Sequence, residues 1–140
     1  MTFIRQLRIE YKETFSRLIM NILSKNRLVN ESLSAIGYAE QQDTFWKSLI
    51  PDAINHDNNV GYIITASNFR IFLVSLDYQY EPIECNIYIF NQVQLKQYKK
   101  GFFHDKFVII LPNNKSDIYI FPKRIKWSEP DKIASYLNKA

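Results

Sequence analysis

The chain has 140 residues, 46% of them apolar and 23% charged, the length and balance of one globular domain that buries its own core. A single cysteine excludes a disulfide scaffold and any zinc ribbon, and three scattered glycines (Gly37, Gly61, Gly101) exclude the clustered-glycine loops that cradle phosphate. The formal net charge of +4 is segregated: residues 1–27 carry six basic and two acidic side chains, residues 28–94 two and eight, and residues 95–126 eight and two. Such segregation steers an anionic partner if it survives folding, and otherwise only solvates loops.

The spacing of Ile4, Leu7, Tyr11, Phe15, Leu18 and Ile22 predicts an amphipathic helix over 2–25, with Arg5, Arg8, Lys12, Glu13 and Arg17 on the other face. Asn26–Asn30 is its stop. The period then changes to two, and seven short strands are predicted at 33–39, 60–66, 69–76, 84–90, 93–99, 106–111 and 116–122. Between the first two, Thr44–Leu49 reads as a helical turn before Pro51 and His56–Asn59 as a loop. The later turns are tight: Ser67-Asn68, Asn91-Gln92 and Pro112–Lys115. Connections that short make antiparallel hairpins, because a parallel pair needs a crossover of a dozen or more residues. Ser128-Glu129-Pro130-Asp131 is a capping start for a last helix whose apolar face is Ile133, Ala134, Tyr136 and Leu137.

Gly61-Tyr62-Ile63-Ile64-Thr65 followed by Asn68-Phe69-Arg70-Ile71-Phe72 is similar to the G-x-hydrophobic-x-T-x-x-R-hydrophobic hairpin of bacterial pleckstrin-homology-like (PH-like) and GRAM-like domains, with one or two more residues between Thr65 and Arg70 than the usual form. Ile87–Val93 and Lys100-Gly101-Phe102 also resemble that family's strand-turn-strand, and the likeness covers about residues 31–138. The resemblance implies a PH-like seven-stranded antiparallel barrel with a C-terminal capping helix, an α+β fold that is mainly β, here with an extra N-terminal helix. It also implies a non-enzymatic module that binds a protein or a lipid head group and tends to self-associate. On this reading residues 28–140 are the barrel with its helix, and residues 1–27 are a helix packed on the domain or used in assembly.

The strands carry more apolar residues than a barrel interior holds. The strand 69–76 places Phe69, Ile71 and Leu73 on one face and Phe72, Val74 and Leu76 on the other. Either the N-terminal helix covers the outer face or a homo-oligomer does.

For chemistry, His56 and His104 are the only histidines, and Cys85 in a predicted strand lacks a cationic neighbour in sequence to activate its thiol. His104-Asp105 offers two adjacent ligands that point apart on a strand, and Asp77, Glu81 and Glu84 read as a solvated face. The expectation is no enzyme, no metal and no cofactor. The informative segment is basic and aromatic: Lys96, Lys99, Lys100, Phe102, Phe103 and Lys106, with Lys123, Arg124 and Lys126 further on. Its two readings are a contact with an anionic membrane surface, the Phe pair dipping into the interface, and a plug in which Phe102 or Phe103 turns inward.

A protein partner is expected first and an anionic lipid second. A nucleic acid is disfavoured, since beyond residue 27 the only arginines are Arg70 and Arg124 and no RNA-recognition, KH or zinc motif is present. A small immunity or phage accessory protein that blocks one partner is the alternative. The longest apolar run, Phe107–Leu111, is far short of the roughly 20 residues that span a bilayer. With no leader-like start and a lone cysteine, the expected location is cytoplasmic, peripheral at the membrane if the basic segment binds lipid.

Overall fold

A computed structural model describes residues 12–26, 30–41, 61–77 and 81–138. The start of the N-terminal helix, the turn expected at Thr44–Leu49 and the loop His56–Asn59 lie outside the described residues. Helix α1 (Lys12–Asn26) is followed by strands β1 (Leu33–Gln41), β2 (Gly61–Ser67), β3 (Arg70–Leu76), β4 (Pro82–Ile89), β5 (Gln94–Lys99), β6 (His104–Ile110) and β7 (Ser116–Pro122), then by helix α2 (Pro130–Asn138).

The protein is mainly β. Its seven antiparallel strands form one open sheet in the order β4-β3-β2-β1-β7-β6-β5. Strand β1 belongs to both halves: Leu33–Ala39 pairs with β2, while Glu40 and Gln41 pair with Ile120 and Tyr119 of β7. The expected closed barrel is not what the ladder shows, because β4 and β5 are its two edges.

The Asn91-Gln92 connection corrects a second expectation. It does not fold β4 and β5 into a hairpin. Phe90–Gln92 is a single 3-10 turn, held where the Gln92 side chain accepts from the Ile89 N–H at 3.0 Å. It sends the chain from one end of the sheet to the other, so β4 pairs only with β3 and β5 only with β6 among the described strands. Loop length requires antiparallel neighbours only where the two strands are partners at all.

Strands β1 to β3 bury both faces. On one, Ala35, Ile64, Ile71 and Leu73 pack with Phe107 and Ile109 of β6, Tyr119 and Phe121 of β7, and Ile133 and Leu137 of α2. On the other, Ile36, Tyr38, Ile63, Val74 and Leu76 pack with Ile19 of α1 and Ile125, and Leu18, Ile22 and Trp127 line the margin. The alternation along β3 thus fills two cores, each buried side chain contributing roughly 1.5–3 kcal/mol relative to exposure. Helix α2 lies against β1, β2 and β5, with Tyr136 stacked on Phe90 at 6.2 Å.

Candidate functional site

The basic and aromatic segment forms one end of the β5–β6–β7 half. Strands β5 and β6 run antiparallel up to the pair Lys99 and Lys106. A bulge between Leu95 and Gln97 makes Lys96 the extra residue of β5. It shifts the alternation by one, so that Leu95 and Tyr98 both turn toward the interior and belong to the margin of the first core.

Asp105 organises the turn. It is the second residue of β6 and is buried. Its Oδ2 accepts from the Tyr98 hydroxyl at 3.1 Å, and its Oδ1 accepts from the Gly101 N–H at 3.3 Å and faces Lys123 Nζ at 3.7 Å. Burial in the first place, and the Asp105 carboxylate after it, push the Tyr98 phenol well above its ordinary range, so it stays a donor. Gly101 admits no side chain, because a Cβ there would run into the carbonyl oxygen of His104. The Lys123 N–H donates to the Phe103 carbonyl at 3.0 Å, tying the β7–α2 connection to the turn.

The inward alternative for the aromatic pair is corrected by this geometry. Phe102 is 86% and Phe103 76% exposed, their rings edge to face at 4.8 Å between centroids. A turn anchored from beneath by Asp105 and from the side by Lys123 projects both rings into solvent.

Lys99, Lys100 and Lys123 surround this tip. Lys106 is half-buried opposite Lys99, and Lys100 Nζ lies 6.0 Å from the Tyr98 ring. Arg124 is drawn aside by Glu40 at 3.7 Å. Lys126 lies farther along the β7–α2 connection, beside the start of α2. Lys96 is not part of the tip: at about 3.3 Å per strand residue it stands roughly 13 Å back from Lys100. Sequence reasoning missed the anchoring role of Asp105, weighed there only as a ligand beside His104, and of its partner Tyr98, and the available signal was the spacing Tyr98-x-x-Gly101-x-x-x-Asp105 around a tight turn.

Of the catalytic candidates, His56 lies outside the described residues, and Cys85 and His104 do not converge. Cys85 lies in β4 opposite Val74, and His104 in β6 opposite Pro122. Cys85 does have a cationic neighbour, Arg70, which the sequence did not place beside it. Burial nevertheless outweighs that charge and pushes the thiol up, away from the reactive thiolate. Asp77 and Glu81 cap the β3–β4 turn, with the Asp77 N–H donating to the Glu81 carbonyl and the Glu81 N–H to Asp77 Oδ1. Among the described residues no three His, Cys, Asp or Glu side chains are grouped to hold a metal ion, and no helix is long and apolar enough to cross a membrane. No family model matches the chain, and comparison with curated proteins and with solved structures finds no similar one.

Proposed function

We propose that the chain is a non-enzymatic binding module of PH-like type that docks on an anionic membrane surface through the β5–β6 turn. The strand order, the 3-10 turn between β4 and β5, and a C-terminal helix packed across β1, β2 and β5 support the PH-like reading beside the hairpin residues Gly61, Thr65 and Arg70. One observation carries the docking: two aromatic rings held out at the tip of a turn ringed by Lys99, Lys100 and Lys123. Each lysine near an anionic leaflet contributes about 1 kcal/mol, so lysines alone give no better than millimolar binding. Burying each Phe adds roughly 1.5–3 kcal/mol, which carries the sum toward the micromolar range.

Co-sedimentation with vesicles of phosphatidylcholine, with and without phosphatidylserine, tests the reading at low and at physiological salt. Binding that needs phosphatidylserine, weakens with salt and disappears in the Phe102→Ser/Phe103→Ser variant is the expected result. No binding at either salt overturns it.

A protein partner is the second reading. Strand β4 is an edge whose Ile83 and Ile89 are exposed, with Phe69 exposed just before β3, an apolar margin suited to another chain. An affinity pull-down that returns one stoichiometric protein, with no vesicle binding, favours it.

A further inference from the structure

Beside the aromatic tip lies a cleft of about 310 Å³. Three segments wall it: the end of β5 with the turn after it, the β7–α2 connection, and the start of α2. Its charged side chains are Lys100, Lys123, Lys126, Asp105 and Asp131, and Ser128 also lines it. We infer that this cleft binds a phosphomonoester, as the head group of a lipid or as a free small phosphate.

The carboxylates do not oppose this equally. Asp105 is already engaged on both oxygens, by the Tyr98 hydroxyl on one and by the Gly101 N–H and Lys123 on the other. It serves as wall, holding Lys123 and the turn in place. Asp131 is exposed on the first turn of α2, and beside the Lys123–Asp105 pair it faces the two further ammonium groups of Lys100 and Lys126.

The start of α2 adds to the positive side. Its first backbone N–H groups have no partner within the helix, and Pro130 occupies the first position, where an N–H is not needed. Partial positive charge therefore gathers at the end that opens on the cleft, where Pro130 and Asp131 line it. Ser128 Oγ accepts from the Tyr38 N–H at 3.1 Å, which fixes the oxygen and leaves its own proton to donate.

A phosphomonoester carries a charge of about −1.5 to −2 and three terminal oxygens, enough to engage Lys100, Lys123 and Lys126 together where a lone carboxylate cannot. The volume stands at the lower end of small-molecule sites and suits a phosphate with a glycerol-sized substituent. Because the Phe103 carbonyl is bonded to the Lys123 N–H, cleft and aromatic tip open on the same end of the molecule. Only the lipid source of the phosphate rests on the proposed docking. The cleft itself does not.

The experiment titrates the full chain with glycerol 3-phosphate, followed by amide NMR, and in parallel compares vesicles containing phosphatidic acid with phosphatidylserine vesicles of matched surface charge. The expected result is saturable shifts at Lys100, Ser128 and Asp131, at least tenfold weaker binding in the Lys100→Gln/Lys126→Gln variant, and unchanged glycerol 3-phosphate binding in Phe102→Ser/Phe103→Ser. A several-fold preference for phosphatidic acid assigns the lipid source, and equal binding to both vesicles assigns the free phosphate. Shifts that do not saturate, or that are the same in Lys100→Gln/Lys126→Gln, overturn the cleft whatever the vesicles do. Vesicle binding that survives loss of both Phe rings overturns the docking and leaves the cleft standing.

Discussion

Arg70, the first residue of β3, donates from Nε to Glu31 Oε2 at 2.9 Å and from Nη2 to Glu31 Oε1 at 2.6 Å, across 39 positions of sequence. Ser67 Oγ donates to Oε2 of the same carboxylate at 2.6 Å. Asn68 closes the arrangement, its Oδ1 accepting from the Ser32 N–H and its Nδ2 donating to the Asn30 carbonyl, both at 2.9 Å. The β2–β3 turn is thereby fastened to the entry of β1. Glu31 is buried outright and its hydrogen bonds hold the Arg70 guanidinium above its already high range. Removing one partner of such a pair leaves an uncompensated buried charge, which costs about 3–5 kcal/mol. Arg70→Met is therefore expected to lower the urea midpoint strongly, and Glu31→Leu/Arg70→Met to be more stable than Arg70→Met alone. A double variant that simply adds the two single losses would show that the pair is not coupled.

Gly61 sits beneath the ring of Tyr38, where an added Cβ would lie 2.6 Å from the hydroxyl oxygen and 2.7 Å from Cε2. Tyr38 is buried with no slack, so Gly61→Ala should cost about 1–3 kcal/mol through overpacking. Chemical denaturation checks this. The same substitution made in a Tyr38→Val background, where the ring is gone, is expected to cost much less.

These contacts explain what the hairpin residues could and could not reveal. Gly61 makes room for Tyr38, Thr65 Oγ1 donates to the Ala35 carbonyl, and Arg70 holds Glu31. All three act within the fold, so a likeness built on them speaks for architecture and is silent on a ligand. The strands β2, β3, β6 and β7 were legible because each is a run of β-branched and aromatic residues, and the short polar turns Ser67-Asn68 and Pro112–Lys115 join them in pairs. The β4–β5 corner was not, since the polar pair Asn91-Gln92 suits the end of a 3-10 turn as well as a hairpin loop, and only pairing with β3 and β6 separates them. In the site, lysines and aromatics were visible as composition. The anchor Asp105 was not, because its role depends on Tyr98, Gly101 and Lys123 meeting it from three directions.

Tyr119 makes stability sensitive to alkali. Its hydroxyl donates to Asp117 Oδ2 at 3.1 Å inside the first core, and burial first, then the Asp117 charge, push its phenol far above the ordinary 10.0. The folded chain then keeps this proton at a pH where the unfolded chain has released it. The stabilisation is complete below about pH 10 and falls as pH rises, by about 1.4 kcal/mol per pH unit for this group. Urea melts between pH 9 and 11.5 should show that decline, and Tyr119→Phe should lessen it, the raised Tyr98 phenol supplying part of what remains. An unchanged slope in the variant would remove Tyr119 as its source.

The aromatic tip is expected to separate binding from stability. Phe102 and Phe103 contribute exposed surface to the folded state, so Phe102→Ser/Phe103→Ser should change stability by no more than about 0.5 kcal/mol while losing vesicle binding. Asp105→Ala has the opposite profile. It removes the acceptor shared by Tyr98, Gly101 and Lys123, and should lower the melting temperature as well as disorder the tip. A tip variant that unfolds as readily as the Asp105 variant would mean that the rings support the fold.

Two consecutive residues of α1 measure how far that helix belongs to the domain. Ile19 is buried against Ile36, Tyr38 and Ile63, whereas Met20, one position on, is half-exposed on the other side of the helix. Truncating a buried isoleucine loses both its transfer energy and the space it filled, so Ile19→Ala should cost about 2–5 kcal/mol. Met20→Ala should stay within about 0.5 kcal/mol. Helix propensity cannot produce the contrast, because replacing Ile by alanine gains more propensity than replacing Met, the opposite of the expected loss. Equal effects at the two positions would mean that α1 is not held on the outer face of β1 and β2. Deletion of residues 1–27 would then yield a stable monomer instead of a chain that aggregates or assembles through Ile36, Ile63 and Val74.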